Sequence, residues 1–555
     1  MPPGHTYSLG GNAMRKSLRA NILSSVIVSL ILSSTATLAD EPVAPPPAKI
    51  EVRPVPDKAS NFVHCDGQPN KESSLSTAAR LVALSLVVGL FIPMPESADT
   101  SKRMKGQDGI KACDAALNGD EKAHDGGRRL ELILGRSIHR MEIADWQGAI
   151  DDLHTLPADQ PELTGTRAYR QSLGQTAAYL EGISLVAKGD TDGAVAMGYR
   201  IANDSPYDAY SMPLAYRLVL LEDGYTPEKK QILDQMVRIN PKQATARASA
   251  RALAGDFAGA ADDYAAYNDL LATFPETQVY VMQALGATSY RLAGNAAKAE
   301  ELMTAAKLKA DSDATDGKRG DLVDSFHEIS DFYDIVAALD AGQSVRARNM
   351  FSAHSHWRNI GYAYVAELAR RLQTVGTPEE QAMSPIQTPD QVVSEFKKTI
   401  VAAITSKGDK DNQYWSYFIP ANGDAAYARL STAVWNTKRS PYIVKTKVAA
   451  MDSQYVSTSG AGVSIPCGYA MYMHLAVTAK AQGKTGFMMM PGQKNLCEGF
   501  FRIGNADDKG MVAPFMMNAD QVIADLGTYF PKPVDMLRHI LSNASLWRCP
   551  VLIIQ

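Results

Sequence analysis

Cys467 sits between Pro466 and Gly468 at the predicted start of a helix, a setting that makes a thiol reactive. The N–H groups of a helix N-terminus favour a thiolate, and a thiolate is a nucleophile. A cysteine hydrolase also needs a base within hydrogen-bond reach. His474 follows seven residues on, on the same helical face but about 10 Å further along the axis. His539 is the only later histidine. A structural disulfide to Cys497 accounts for Cys467 better than catalysis does.

The ten histidines show no metal-ligand spacing. His154 shares a helix with Asp151 and Asp152 as part of a solvated face. His354 and His356, next to Trp357, point to different helix sides. The run Met488 to Met490 fits a core strand better than a thioether metal site. The chain has no P-loop, no dinucleotide fingerprint and no G-x-S-x-G elbow. No catalytic residue, metal ligand or cofactor is therefore assigned. Enzymatic activity is left open, with a non-enzymatic role favoured.

The 555 residues carry 56 basic and 60 acidic side chains, a net charge of −4. That balance excludes a strongly basic nucleic-acid binder. Residues 1–39 have the layout of an export signal. Arg15, Lys16 and Arg19 precede the short apolar run Ile22 to Leu32, and Thr37, Leu38 and Ala39 offer small residues before Asp40. The run is too short to span a bilayer stably. Its removal takes away three basic residues and no acids, so the net charge falls to −7. The expected location is periplasmic or secreted, with no stable membrane insertion after signal removal. In that compartment five cysteines suggest two bridges and one spare, Cys65–Cys113 and Cys467–Cys497, with Cys549 left over. The alternative is five buried thiols.

These residues need a scaffold, and its pattern is legible. Residues 40–60 are a Pro-rich linker, and 61–106 an N-terminal helical cap that includes an apolar helix from Leu81 to Ile92. From 107 to 380 one spacing recurs: a small residue, Gly or Ala seven later, then Ala five later. Ser137, Ala144 and Ala149 show it, as do Gly182, Gly189 and Ala194. Ala248, Gly255 and Ala260 follow, then Ala287, Gly294 and Ala299, then Ile335, Gly342 and Ala347. Arg217, Gly224 and Lys229 form a degraded copy. Antiparallel helices in close contact need small residues where they cross, and the turn between them needs left-handed backbone.

The spacing resembles the tetratricopeptide repeat, a helix-turn-helix unit stacked into a superhelix. In style the chain is similar to exported repeat proteins found in alphaproteobacteria. Lys229 departs from the small residue that the family has at its position. The predicted class is mainly α: a tetratricopeptide-like helical-repeat superhelix followed by a small C-terminal α+β domain over 381–530. In that domain helices are expected at 389–406, from Asp424 to Trp435, from Cys467 to Lys480 and after Asn518. Strands are expected at Tyr442 to Val448, Gly486 to Met490, Phe500 to Ile503 and Met511 to Met517. The tail, 531–555, has no assigned structure.

The resemblance implies a concave groove lined from the first helix of each repeat. Carried over, its positions are Leu134, Ile138 and Met141, Tyr179, Ile183 and Val186, then Leu214, Leu218 and Leu221. Thr245, Ser249, Ala252, Ala284, Thr288 and Arg291 follow, then Phe332, Val336 and Leu339. So long an apolar stripe should not stay wet. The helix from Leu81 to Ile92 is expected to cover its first part. Partner binding is then left to Tyr290, Arg291, Phe332 and Val336. The alternative is that a one-residue register shift buries these positions between repeats. The implied function is an extracytoplasmic scaffold that binds a protein or peptide partner. An enzyme with its site in the α+β domain, and a structural subunit of an envelope complex, are the competing readings.

Overall fold

A computed structural model describes residues 59–70, 97–120, 122–272, 280–315, 320–354, 357–383, 386–406, 413–419, 424–437, 443–448, 453–458, 465–491 and 498–532. Residues 1–39, read as an export signal, nearly all of the Pro-rich linker, the segment Leu81 to Ile92 expected as a helix, Cys497 and the tail beyond 532 lie outside the described residues. The fold is mainly helical, with a small C-terminal α+β part. It divides into two compact units. The dividing line falls at 204/205, inside the predicted repeat block, and residues 404–423 belong with the first unit.

The first unit contains α1 (Asn61–Asp66), α2 (Gly106–Asn118), α3 (Gly126–Glu142), α4 (Trp146–Asp159), α5 (Leu173–Lys188) and α6 (Thr191–Asp204). Successive helices from α2 to α4 pack on one another, as do α4, α5 and α6, and α1 lies on α2 and α3. The predicted disulfide Cys65–Cys113 joins α1 to α2.

The second unit begins with α7 (Ser211–Val219), α8 (Pro227–Ile239), α9 (Ala244–Leu253) and α10 (Phe257–Leu271). It continues with α11 (Tyr280–Leu292), α12 (Ala296–Thr315), α13 (Gly320–Asp340) and α14 (Ser344–Ala353). Helix α15 (Tyr362–Gln373) and helix α16 (Pro389–Thr405) follow. Thr388 and Gln391 cap α16 reciprocally, at 2.8 and 3.2 Å.

The six predicted turns share one geometry. Gly189, Gly224, Gly255, Gly294 and Gly342 have φ between 72° and 86°, and Ala144 has φ 62°. In five of them the N–H after the left-handed residue returns to the carbonyl five positions back, from Asp145 to Arg140 and from Asp256 to Arg251 for instance, at 2.8–2.9 Å. The next helix is then capped by Asp145, Asp190, Asp256 or Asn295, each accepting from an N–H three residues on. Around these turns the crossing residues Ser137, Ala149, Ala194, Ala248, Ala260, Ala287, Ala299, Ile335 and Ala347 are fully buried. At the degraded turn Lys229 replaces the small residue, and its buried Nζ donates to Glu222 O and Gly224 O at 2.7 and 2.9 Å. A long cation thus satisfies carbonyls that the shorter α7 leaves open.

Ala144 is the only non-glycine with positive φ among the described residues. Left-handed backbone costs an L-residue roughly 1–2 kcal/mol, and glycine gives back roughly 0.5–1 kcal/mol in unfolded-state freedom. Ala144→Gly is therefore expected to stabilise the first unit by about 0.5–1 kcal/mol, read as a raised denaturant midpoint.

The C-terminal part consists of α17 (Asp424–Trp435), β1 (Ile443–Val448), β2 (Ser453–Thr458), α18 (Ile465–Ala481), β3 (Gly486–Pro491), β4 (Glu498–Gly504), β5 (Met517–Asn518) and α19 (Ala519–Leu526). The sheet is antiparallel throughout, in the order β1-β2-β4-β3-β5. Strand β3 is buried along its whole length, as its apolar run implies. The segment read as extended from Met511 to Met517 instead makes a 3-10 turn at Ala513–Phe515 before the short β5. Pro514 lies in that turn, where a missing N–H does no harm. Strand β2 was not anticipated. Helix α18 packs between α17, α19 and the sheet. It also meets the helical part through Tyr472, which donates to Ile239 O at 3.2 Å, and through the ring pair Tyr207–Tyr469.

Candidate binding surface

The expected groove is closed over most of its length. Leu134, Ile138, Met141, Tyr179, Ile183, Val186, Leu218, Leu221, Ala252, Ala284 and Thr288 are buried. Phe332 and Val336, two of the four expected partner-binding residues, are 0% exposed. They present no surface for a partner, which corrects the sequence expectation. Helix α13 is flanked by α11, α12 and α14, and Trp357 meets the edge of Phe332 at 5.3 Å.

In the second unit the chain itself covers the first-helix face. Helix α15 lies on α9. Tyr364 OH and Ser289 Oγ share a hydrogen bond of 2.8 Å, and Arg371 Nη2 donates to Leu292 O at 2.7 Å. Only Tyr290 and Arg291 of the expected set stay at the rim. Arg291 Nε donates to Asp340 at 3.0 Å and Nη1 to the Tyr333 hydroxyl at 2.8 Å. That hydroxyl donates to Glu300 at 2.9 Å. Burial and the Glu300 carboxylate push the Tyr333 phenol up to about 12. Tyr290 OH donates to Asp262 at 3.3 Å. The rim is a half-exposed network in which carboxylates outnumber cations.

In the first unit residues 413–419 lie on α3 and α5. Thr176 Oγ1 donates to Tyr417 O at 3.2 Å and accepts from the Ile419 N–H at 2.8 Å. The Tyr417 ring meets Tyr179 edge-on at 4.7 Å. Trp415 lies against His139 at 5.4 Å and under the Arg103 guanidinium at 4.1 Å. Gly135 makes room for it: a Cβ there would come within 3.2 Å of the indole. Trp415 Nε1 donates to Glu142 Oε1 at 3.3 Å. The sequence reading missed this segment. Its signal is four aromatics in five residues, Tyr414 to Phe418.

Glu142 anchors this corner. Its Oε2 lies 2.8 Å from His139 Nδ1 and accepts from the Gly106 N–H at 2.7 Å. Burial works against its charge. The hydrogen bonds and charge of His139, with the Gly106 and Trp415 donors, outweigh that and hold the carboxyl below its usual value. A depressed carboxylate stabilises the fold fully above the ordinary carboxylate range, and that contribution is lost as pH falls through the lowered value. Emission from Trp415, obtained by difference from Trp415→Phe, is expected to shift to the red as pH falls below the ordinary carboxylate range.

The chemical candidates are consumed structurally. Cys467 is disulfide-bonded and fully buried, so it carries no thiolate. His474 is buried with Nδ1 3.0 Å from Val434 O. His154 pairs with Glu181 at 2.8 Å, and His354 stacks on Trp357 and pairs with Asp331 at 3.4 Å. Among the described residues no group of His, Cys, Asp and Glu could hold a metal ion, and no helix is long and apolar enough to cross a membrane. No family model matches the chain, and no curated protein or solved structure matches it.

Proposed function

We propose that the chain is an exported, tetratricopeptide-like scaffold that binds a protein or peptide partner outside the cytoplasm. The observation that carries this reading is the set of six turns with one left-handed geometry, most of them joining two helices that cross at small buried residues. Stacked helix pairs of this kind offer extended surface and little chemistry. The Cys65–Cys113 bridge fits an oxidising compartment, as does the signal-like segment 1–39. The enzyme reading loses its best nucleophile with the bonded Cys467.

The rim at Tyr290 and Arg291 is the partner surface on this reading. A Tyr290→Ala, Arg291→Glu variant is expected to lose at least about tenfold in partner capture from a cell-envelope extract, since tyrosine and arginine dominate interface energetics. Unchanged capture by a variant with wild-type melting would reject the rim.

A further inference from the structure

Residues 413–419 have the properties of a bound peptide. They form no strand or long helix of their own, only the four-residue 3-10 turn Tyr414–Tyr417. Two anchors and one backbone clamp hold them. The clamp is Thr176, whose hydroxyl both donates to and accepts from the main chain. Main-chain hydrogen bonds of this kind do not depend on the sequence of the segment that makes them. The anchors are Trp415, in the notch at Gly135 between His139 and Arg103, and Tyr417, on Tyr179. Trp415 is only half-buried, and its indole hydrogen bond to Glu142 is long at 3.3 Å. Aromatic side chains in pockets, with a clamp on the backbone between them, are what a peptide-recognition site provides.

We propose that the Gly135–Thr176 face of α3 and α5 is a peptide-binding site, occupied in cis by residues 413–419. Its partner is a peptide segment with the Trp-x-Tyr pattern of Trp415 and Tyr417. This rests on the scaffold reading and names a site for it separate from the Tyr290–Arg291 rim. The cis segment acts as a competitor at high effective concentration, so a partner binds only by displacing it. The disulfide lies beneath the same notch: a Cβ on Gly135 would be 3.4 Å from Cys65 Sγ.

The test uses the full chain and a fluorescein-labelled synthetic peptide of sequence Gln-Tyr-Trp-Ser-Tyr-Phe-Ile, followed by anisotropy. Trp415→Ala, Tyr417→Ala weakens the cis competitor and is expected to bind the peptide at least about tenfold more tightly than wild type. Adding Thr176→Val should reduce that binding by about fivefold, and replacing the peptide's tryptophan by alanine should abolish it. A second measurement needs no released variant. In wild type, saturating isotope-labelled peptide should speed hydrogen exchange at the Ile419 amide. No binding by a released variant that melts like wild type, or equal binding of the alanine peptide, overturns the proposal. So does Ile419 exchange that stays unchanged with peptide. Such a failure alongside loss of capture by the rim variant would reject this site and leave the scaffold reading standing.

Discussion

Cys113→Ala is expected to destabilise the first unit by about 4 kcal/mol. The bridge joins residues separated by 48 positions, and removing it restores the entropy of that loop to the unfolded chain. It also frees α1, whose Cys65 carbonyl lies 2.7 Å from His139 Nε2. Calorimetry should show the first unit's transition lower by about 10 °C or more, with the second unit unmoved. Wild type under reductant should match the variant. A loss below about 1 kcal/mol would mean that α1 is held by its other contacts.

Arg128→Met is expected to cost about 3–5 kcal/mol. Arg128 is fully buried, and its guanidinium grips Asp66 with two bonds of 2.5 and 2.8 Å. It also donates to Gln68 O at 2.9 Å and lies 3.4 Å from Glu131. Burial opposes its charge, but the hydrogen bond and charge of Asp66, with Glu131, outweigh that and raise its affinity for the proton. Methionine in its place strands a buried carboxylate. The double variant Arg128→Met, Asp66→Leu should recover more than half of the loss, because the stranded charge is gone. Urea melts of the two variants and wild type decide this, and equal losses in both would show that packing around Phe62 matters more than the ion pair.

The helical turns were legible because left-handed backbone selects Gly and crossing helices select Ala and Ser, and both choices are local. The strands Ile443–Val448 and Gly486–Pro491 announced themselves by alternation and by an apolar run. Strand Ser453–Thr458 did not, being polar and rich in Ser and Thr. The binding surface was legible only in part. The resemblance to the tetratricopeptide repeat implied the apolar stripe through Leu134, Tyr179 and Phe332, but it says nothing of what lies on that stripe. The expected cover, Leu81 to Ile92, falls outside the described residues. The segment that does lie on α3 and α5 comes from far along the chain: Tyr417 pairs with Thr176 across 241 positions. No local pattern encodes such a pairing. Arg291 was reached through the register carried over from the resemblance, in the less apolar part of the groove, whereas the burial of Val336 depends on neighbouring helices.

Chain order sets a delay on the ribosome. The first unit's helices end at Asp204, and its last piece begins only at Ile404. At 5–20 residues per second the intervening stretch of roughly 200 residues takes about 10–40 s to synthesise. Throughout that interval Tyr179, Thr176 and the notch at Gly135 have no cis aromatic segment to receive. A nascent chain, or one truncated before Ile404, therefore displays a sticky face that the finished protein hides.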